Sequence, residues 1–260
     1  FVHRPARPVD NHGEDYGLLQ TLMAAANGQA TGAVIRMSGV NVQYGEKKIL
    51  HNIDWEVNAG ERWLLSGANG AGKSTLLSLV TADNPQAYAN DIHLFGRKRG
   101  SGESIWDIKK KIGFVSSELH VYFDRGCTVF DTVASGLFDT IGLFRPLSEA
   151  DIEKVTRWLK ACRLEHLARK RLYELPAGEQ RMILLVRALV KDPPLLILDE
   201  PCQGLDAMQQ RHLLELIDTV CVYGYKTMVF VTHYQHDRPA CVDHFIRLEN
   251  GTVAEKRVLG

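Results

Sequence analysis

The first third of the chain shows short segments in which apolar and polar positions alternate, which predicts strands. Residues 33–37 (AVIRM) and 49–57 (ILHNIDWEV) follow this two-residue period. Residues 62–67 (RWLLSG) form a continuous apolar run that ends in glycine, as a buried strand does. Residues 73–81 (KSTLLSLVT) then change to helical spacing. This order predicts a strand, a glycine-rich turn and a helix.

The rest of the chain alternates between strand and helix patterns. Strands are predicted at 111–116, 194–199 and 226–233, and helices at 128–138, 148–162, 178–191 and 207–221. Strands that alternate with helices favour a parallel sheet covered on both faces. The fold class expected is therefore α/β, and residues 118–175, roughly, form an inserted helical subdomain.

The first 30 residues have a different composition, because prolines and glycines are mixed with charges. They predict a linker or leader, within which the apolar run LLQTLMAAA can form a helix. Residues 31–260 are expected to form one domain. The chain begins with Phe1 rather than Met, so we expect it to be part of a longer protein.

Composition excludes several classes of protein. The net charge is zero, with 45% hydrophobic and 24% charged residues, so no overall field attracts DNA or anionic lipid. The sequence shows neither an apolar stretch of about 18 residues nor the hydrophobic core of a signal peptide. Five cysteines without a C-x-x-C pair indicate reduced thiols. These features predict a cytoplasmic protein, either free or peripheral on the inner face of the membrane.

The glycine-rich turn carries a phosphate-binding motif. The segment GANGAGKST matches G-x-x-x-x-G-K-[ST] and lies between the predicted strand and helix, as the motif requires. Glycines let backbone N–H groups surround a phosphate chain, and the helix N-terminus adds its positive end. Lys73 is expected at the β- and γ-phosphates and Ser74 at Mg²⁺. The predicted nucleotide-binding residues are Gly67, Ala68, Asn69, Gly70, Ala71, Gly72, Lys73, Ser74 and Thr75.

A second motif, LLILDEP, is an apolar strand that ends in two carboxylates. Asp199 is expected to hold Mg²⁺ through water. Glu200 lies one residue further, at the carboxyl edge of the sheet, where it can polarise an attacking water.

Together these elements resemble the nucleotide-binding domain of ABC-type ATPases over about residues 33–250. The resemblance implies a P-loop fold with a mostly parallel core sheet, an antiparallel β part and the helical subdomain. It implies Mg²⁺-dependent hydrolysis of ATP by Lys73, Glu200 and His233, the last in the segment VFVTHY. It also implies that Tyr44 stacks on adenine and that Asp206, in QGLD, contacts a second domain in a dimer.

The signature motif departs from the family pattern. The family's Leu-Ser-Gly-Gly-Gln aligns with Leu175, Pro176, Ala177, Gly178 and Glu179. Proline has neither a hydroxyl nor an N–H, so two donors to the γ-phosphate of the partner's ATP are missing. A lost charge-assisted hydrogen bond costs roughly 1.5–3 kcal/mol. We therefore expect a weakened signature that serves the ATP of a partner domain poorly.

A serine, Ser117, stands where the family usually has a glutamine that touches Mg²⁺ and couples the site to a membrane partner. Serine is too short for the same geometry. Either water or Glu118 substitutes, or this loop no longer couples to anything.

The segments DIKKKIGFVSSELH and VRALVKDPPLLILDEPCQGLD resemble the C-terminal half of tandem ATP-binding proteins named for molybdenum transport or photorepair. The resemblance implies a second ABC domain as partner and, in the transport reading, a membrane permease. A soluble ABC ATPase that acts on nucleic acid or ribosomes, and a nucleotide switch with little turnover, remain the alternatives.

Two further features have ordinary interpretations. The basic residues of 97–99 and 109–111 favour a solvated face over a nucleic-acid site, because the net charge is zero. The four tryptophans, Trp55, Trp63, Trp106 and Trp158, are expected in the core.

Overall fold

The computed structural model describes residues 16–24, 32–233 and 237–259. In chain order its strands are β1 (Ala33–Tyr44), β2 (Lys47–Asn58), β3 (Arg62–Ser66), β4 (Asp91–Leu94), β5 (Arg97–Lys98), β6 (Ile112–Ser116), β7 (Leu195–Asp199), β8 (Thr227–Val231), β9 (His244–Glu249) and β10 (Thr252–Val258). Its α-helices are α1 (Tyr16–Ala24), α2 (Lys73–Val80), α3 (Ile105–Lys109), α4 (Val129–Ser135), α5 (Glu149–Ala161), α6 (Ala177–Leu189) and α7 (Ala207–Tyr223).

Six strands form the core sheet in the order β10-β9-β3-β8-β7-β6. Five of them run parallel, and β10 adds an antiparallel edge by pairing with β9. The remaining strands form an antiparallel sheet in the order β2-β1-β4-β5. The predicted α/β class, with a mostly parallel core sheet and an antiparallel part, is confirmed.

The two faces of the core sheet bury different apolar clusters. Leu64 and Phe230 face the helices α4 to α7, whereas their neighbours Leu65 and Val231 face α2 and the antiparallel sheet. Successive side chains of a strand point to opposite faces, so a continuous apolar run is needed where both faces are covered. This requirement explains the unbroken apolar pattern of β3, β7 and β8.

Parallel strands bring their carboxyl ends to one edge of the sheet. The registers pair Asp199 with Val231 across β7 and β8, and Leu65 with Val231 across β3 and β8. The segments after Ser66, Asp199 and Val231 therefore leave the sheet side by side. These are the segments that carry the predicted phosphate loop, the carboxylate pair and His233.

The predicted helical insertion contains α4, α5 and short 3₁₀ helices, and α6 packs against α4. The described part of the leader's apolar run lies in α1, as the sequence allowed. Leu19 and Met23 are each 1% exposed, and the helix packs against α5 and α7. This packing qualifies the linker interpretation of residues 1–30, of which the structure describes only 16–24.

The structure also corrects details of the sequence interpretation. Helix α6 begins at Ala177, one residue before the position inferred from the pattern. Trp55, Trp63 and Trp158 are buried as expected, but the core prediction is wrong for Trp106, which is 59% exposed on the short helix α3.

Candidate functional site

The phosphate loop requires glycine at particular positions. Gly67, Gly70 and Gly72 have positive φ angles of 151°, 77° and 103°, which other residues rarely adopt. A Cβ at Gly67 would lie 2.5 Å from the carbonyl oxygen of Leu248, and one at Gly72 would lie 2.7 Å from a methyl group of Leu50. The loop shape is thus fixed both by backbone conformation and by the strands that pack beneath it.

Lys73 is held inside this loop. Its Nζ donates hydrogen bonds to the carbonyl oxygens of Gly67 at 2.7 Å and Ala68 at 3.1 Å, and the residue is 7% exposed. Burial lowers the pKa of Lys73, whereas the charges of Glu200 and Asp199 act in the opposite direction. The backbone of the phosphate loop therefore fixes the position of the ammonium group.

His233 joins the loop to Glu200. Its Nε2 lies 2.5 Å from a carboxylate oxygen of Glu200, and its Nδ1 lies 3.4 Å from Nζ of Lys73. Nδ1 also lies 3.2 Å from the carbonyl oxygen of Gly67. With the proton on Nε2 the ring donates to the carboxylate and Nδ1 can accept from the ammonium, whereas a proton on Nδ1 would be donated to the carbonyl of Gly67. Glu200 adopts a positive φ of 50°, and its N–H donates to the carbonyl of Val231 at 3.0 Å. A non-glycine residue in this conformation is held there by its surroundings.

Asp199 ends β7 beside this group. Burial raises the pKa of its carboxyl, the adjacent Glu200 raises it further, and Lys73 opposes both effects. Ser74 is exposed in the first turn of α2, so its hydroxyl is accessible. Hydroxyl and carboxylate oxygens are the donors that Mg²⁺ prefers.

The residues present fit a Mg²⁺–nucleotide. In the described part of the chain, no side chain caps the first turn of α2, which leaves its N–H groups for phosphate oxygens. Within the same part, no three His, Cys, Asp or Glu side chains gather into a metal cage. A site in which one or two protein oxygens and the phosphates share the ion suits Mg²⁺ better than a full protein cage. An open cleft of about 550 Å³ lies beside Asn69, Glu200 and His233.

Tyr44 lies at the end of β1 and is 53% exposed. Its hydroxyl oxygen accepts a hydrogen bond from the side-chain amide of Asn84 at 2.9 Å. Asn84 was not identified from the sequence.

The signature segment lies at the start of α6. Pro176 is the residue that precedes the helix, and among the described side chains none caps it. Gly178 lies against α7, where a Cβ would come within 2.7 Å of the side chain of Gln209. Asp206 caps α7 by accepting from the N–H groups of Met208 and Gln209, each at 2.9 Å. Gln209 thus links the signature segment to the Asp206 loop.

Ser117 is connected to the site and to α6. Its N–H donates to the carbonyl of Asp199 at 3.2 Å. Its own carbonyl lies 3.1 Å from Nδ1 of His120, which lies 3.4 Å from Nη1 of the buried Arg181 on α6. His120 and Arg181 were not identified from the sequence, because their contact depends on how the helical part folds against β6.

The structure therefore places the predicted residues in two groups. Lys73, Asp199, Glu200 and His233 converge at the phosphate loop, and Ser117 is one backbone hydrogen bond away. The signature residues and Asp206 form a second group, between α6 and α7.

The family profile described as ABC transporter matches residues 50–203. Over 217 residues the chain is 48% identical to the ABC transporter ATP-binding protein ModF of Escherichia coli (strain K12), which covers 83% of this chain and 44% of that protein. It is 33% identical to the zinc uptake system ATP-binding protein ZurA of Listeria monocytogenes, covering 83% of this chain and 82% of that protein.

Solved ABC cassettes share the fold. CbiO1 from Clostridium perfringens, described as part of the ABC transporter complex CbiONQ, has a TM-score of 0.75 at 24% identity, with 86% of this chain and 88% of that chain covered. The bacterial cassette MJ0796, described as dimeric, has a TM-score of 0.74 at 25% identity, with 87% and 99% covered.

The chain belongs to the ABC transporter family, and its class is that of the ATP-hydrolysing domains of ABC systems. The resemblance inferred from the sequence is confirmed as membership of this family and as similarity to ModF. The chain spans about half the length of ModF and of an uncharacterised relative from Schizosaccharomyces pombe.

Proposed function

We propose that this chain binds ATP with Mg²⁺ and hydrolyses it to ADP and phosphate at an interface with a second ABC domain. The observation that carries the proposal is the contact of Lys73, His233 and Glu200 at the mouth of the phosphate loop. A cation, a hydrogen-bonding ring and a carboxylate are the groups that a γ-phosphate and an attacking water would require around them, and their contact supports the proposal.

Each residue has a role that follows from its contacts. Lys73 offsets negative charge on the β- and γ-phosphates from a fixed position, so little reorganisation is needed. Glu200 accepts a proton from the attacking water, and His233 holds the carboxylate in place through Nε2. Asp199 and Ser74 would hold Mg²⁺, which supplies positive charge to the phosphate oxygens when it is bound.

The second domain would supply the signature for this ATP, and the segment around Pro176 would face the partner's ATP. Proline there offers neither donor, so the two sites of a pair are expected to differ in rate. The partner is either a second copy or another domain of a longer protein, in which this chain would be the C-terminal half. The relatives that are twice as long support the second possibility.

Replacing Pro176 with serine is expected to raise the ATP turnover of the chain by about ten- to a hundredfold. The substitution restores a hydroxyl and an N–H at the start of α6, and a charge-assisted hydrogen bond contributes roughly 1.5–3 kcal/mol. The measurement is steady-state release of phosphate at saturating MgATP, over a range of protein concentrations so that pairing is complete.

The matched control is Pro176→Ala, which restores the N–H without the hydroxyl. A rate between those of the original chain and the serine variant would show how much of the gain in turnover comes from the N–H and how much from the hydroxyl. If serine gives no gain over proline, the segment does not act as a weakened signature.

The output of this ATPase is proposed to be transport, with molybdenum or molybdate as the substrate class that the sequence resemblance implies. The description of ModF as an ABC transporter ATP-binding protein supports transport. ZurA belongs by its name to a zinc uptake system, which fits the same class of importers. The exposed Val121 and Tyr122, 68% and 66% accessible, follow Ser117 within five residues and offer an apolar surface for a membrane permease. Among the described residues, no helix is long and apolar enough to cross a membrane.

A soluble ATPase that acts on nucleic acid is the second candidate, through the basic segment 97–99. The structure gives it less support, because Arg99 is buried in an ion pair with Glu103 and Lys98 lies 3.4 Å from Asp91. A nucleotide switch with low turnover is the third candidate, supported by Pro176 and opposed by the arrangement of Glu200.

Affinity capture from cells distinguishes these outputs. The bait is the native protein with Glu200→Gln, which is expected to keep the ATP-bound pair closed, and the control bait also carries Lys73→Ala to prevent nucleotide binding. ATP-dependent recovery of a membrane permease supports the importer. Recovery of ribosomes or DNA without a permease supports the soluble class.

A further inference from the structure

Side-chain amides in the segment that follows α2 form hydrogen bonds with the backbone of strand β1. The amide of Gln86 accepts from the N–H of Gln43 at 3.1 Å and donates to its carbonyl at 2.8 Å. Asn90 does the same to Asn41, at 2.9 Å in both directions. Each side chain thus forms the pair of backbone hydrogen bonds that a neighbouring strand would form, and these bonds fix the end of β1. We name Asn84, Gln86 and Asn90 the amide clamp.

Asn84 completes the clamp at the ring of Tyr44. Its Nδ2 donates to the hydroxyl of Tyr44 at 2.9 Å and to Oγ of Ser78 at 3.1 Å, and the residue is 4% exposed. Its Oδ1 accepts from the backbone N–H of Gln86 at 3.0 Å. A backbone N–H can only donate, so the oxygen must face Gln86 and the nitrogen must face Tyr44.

The same residue connects Tyr44 to the phosphate loop. Ser78 lies on α2, and its hydroxyl donates to the carbonyl of Thr75 at 2.7 Å. The N–H of Asn84 donates to the carbonyl of Ser78 at 3.1 Å. One buried asparagine therefore ties the exposed ring of Tyr44 to the helix that begins in the phosphate loop.

We propose that Asn84 is a positioning residue that fixes the ring of Tyr44 for stacking on the base of the nucleotide. The proposal rests on the proposed ATP site. Its physical basis is preorganisation: a ring whose hydroxyl end is anchored loses less conformational freedom when a base binds to its face. Stacking involves the face of the ring and tolerates any purine, so the anchor strengthens binding of ATP and GTP alike.

Two variants remove this hydrogen bond without removing the ring. Asn84→Ser keeps an acceptor for the N–H of Gln86 at the start of the short helix, but its side chain is too short to reach the hydroxyl of Tyr44 and adds no charge. Tyr44→Phe keeps the stacking face and alters only a half-exposed hydroxyl, so the fold is expected to persist. Tyr44→Ala removes the ring itself.

The experiment measures the dissociation constants of MgATP and of magnesium tripolyphosphate, which has the phosphates but no base, for the chain and each variant. Both hydrogen-bond variants are expected to raise the dissociation constant of ATP by about three- to tenfold and that of tripolyphosphate by less than about twofold. The double variant is expected to bind ATP as tightly as the single variant with the larger dissociation constant, because both substitutions remove the same hydrogen bond. In turnover assays KM rises by the same factor while kcat is unchanged.

Three results would overturn the proposal in different ways. If Asn84→Ser weakens the binding of ATP and of tripolyphosphate equally, the residue acts on the phosphate loop and not on the base. If Tyr44→Ala weakens the binding of ATP selectively while Asn84→Ser and Tyr44→Phe do not, stacking stands and the anchor is unnecessary. If Tyr44→Ala does not weaken ATP binding more than tripolyphosphate binding, Tyr44 does not contact the base. Loss of binding of both ligands in Lys73→Ala would then show that the proposed phosphate site still stands.

Discussion

Replacing Glu200 with glutamine is expected to lower the rate of ATP hydrolysis by about a hundredfold or more, because general-base catalysis contributes a factor of about 10²–10⁴. Glutamine has the same shape, and its oxygen can still accept from Nε2 of His233, which lies 2.5 Å from the carboxylate. It cannot take a proton from water. The dissociation constant of MgATP should therefore stay within a few fold, and single-turnover phosphate release should show the loss.

Glu118→Gln is the matched control for this experiment. It removes the same charge from the loop that follows β6, where the sequence left open that Glu118 substitutes for the missing glutamine. We expect near-normal turnover, because Glu118 is exposed and precedes a short 3₁₀ helix (Leu119–Tyr122) that packs against α6. A large loss in Glu118→Gln together with a small loss in Glu200→Gln would assign the base to Glu118.

The residues that the sequence predicted for the centre of this site lie together in the structure because the constraints there are local. The glycine-rich motif stands between a buried strand and a helix, and Gly67 adopts a φ of 151°, which other residues rarely adopt. A fully apolar strand that ends in Asp199 and Glu200 places both carboxylates at the carboxyl edge of a parallel sheet. The contact of His233 with Glu200 then follows from neighbouring strands β7 and β8 ending at the same level.

The parts that the sequence did not predict depend on distant contacts. The amide clamp joins residues about 40 to 50 positions apart, and isolated Asn and Gln residues show no periodicity. A sequence signal does exist for one member, since Asn84 precedes Pro85 at the start of a short helix, which is typical of an N-cap. Its second role, as a partner for Tyr44, requires the fold.

Trp106 shows a second limit on predicting burial from the pattern of apolar residues. Helix α3 is five residues long and buries only Ile108, so its tryptophan remains at the surface. A helix of this length has too little surface to bury two apolar faces. Size and hydrophobicity of the side chain alone do not decide burial there.

Replacing Gly136 with alanine is expected to lower the free energy of unfolding by about 2–4 kcal/mol, a large loss for one methyl group. Gly136 follows α4 with φ −64°, so the backbone conformation suits any residue. The cost comes from space: the new Cβ would overlap the carbonyl oxygen of Arg187 on α6 and lie 3.0 Å from its carbonyl carbon.

The neighbouring contacts prevent α4 and α6 from moving apart. Arg187 donates to Oγ of Ser135 at 3.2 Å and to the carbonyl of Thr140 at 2.9 Å, so a shift would leave a buried guanidinium without these partners. Urea unfolding followed by tryptophan fluorescence measures the loss. Gly17→Ala is the control, because a Cβ on that exposed position of α1 meets nothing within 4 Å and should be neutral or slightly stabilising. Equal stability of both variants would mean that α4 and α6 are not locked together at Gly136. The signature segment at the start of α6 would then be free to move independently of the helical part behind it.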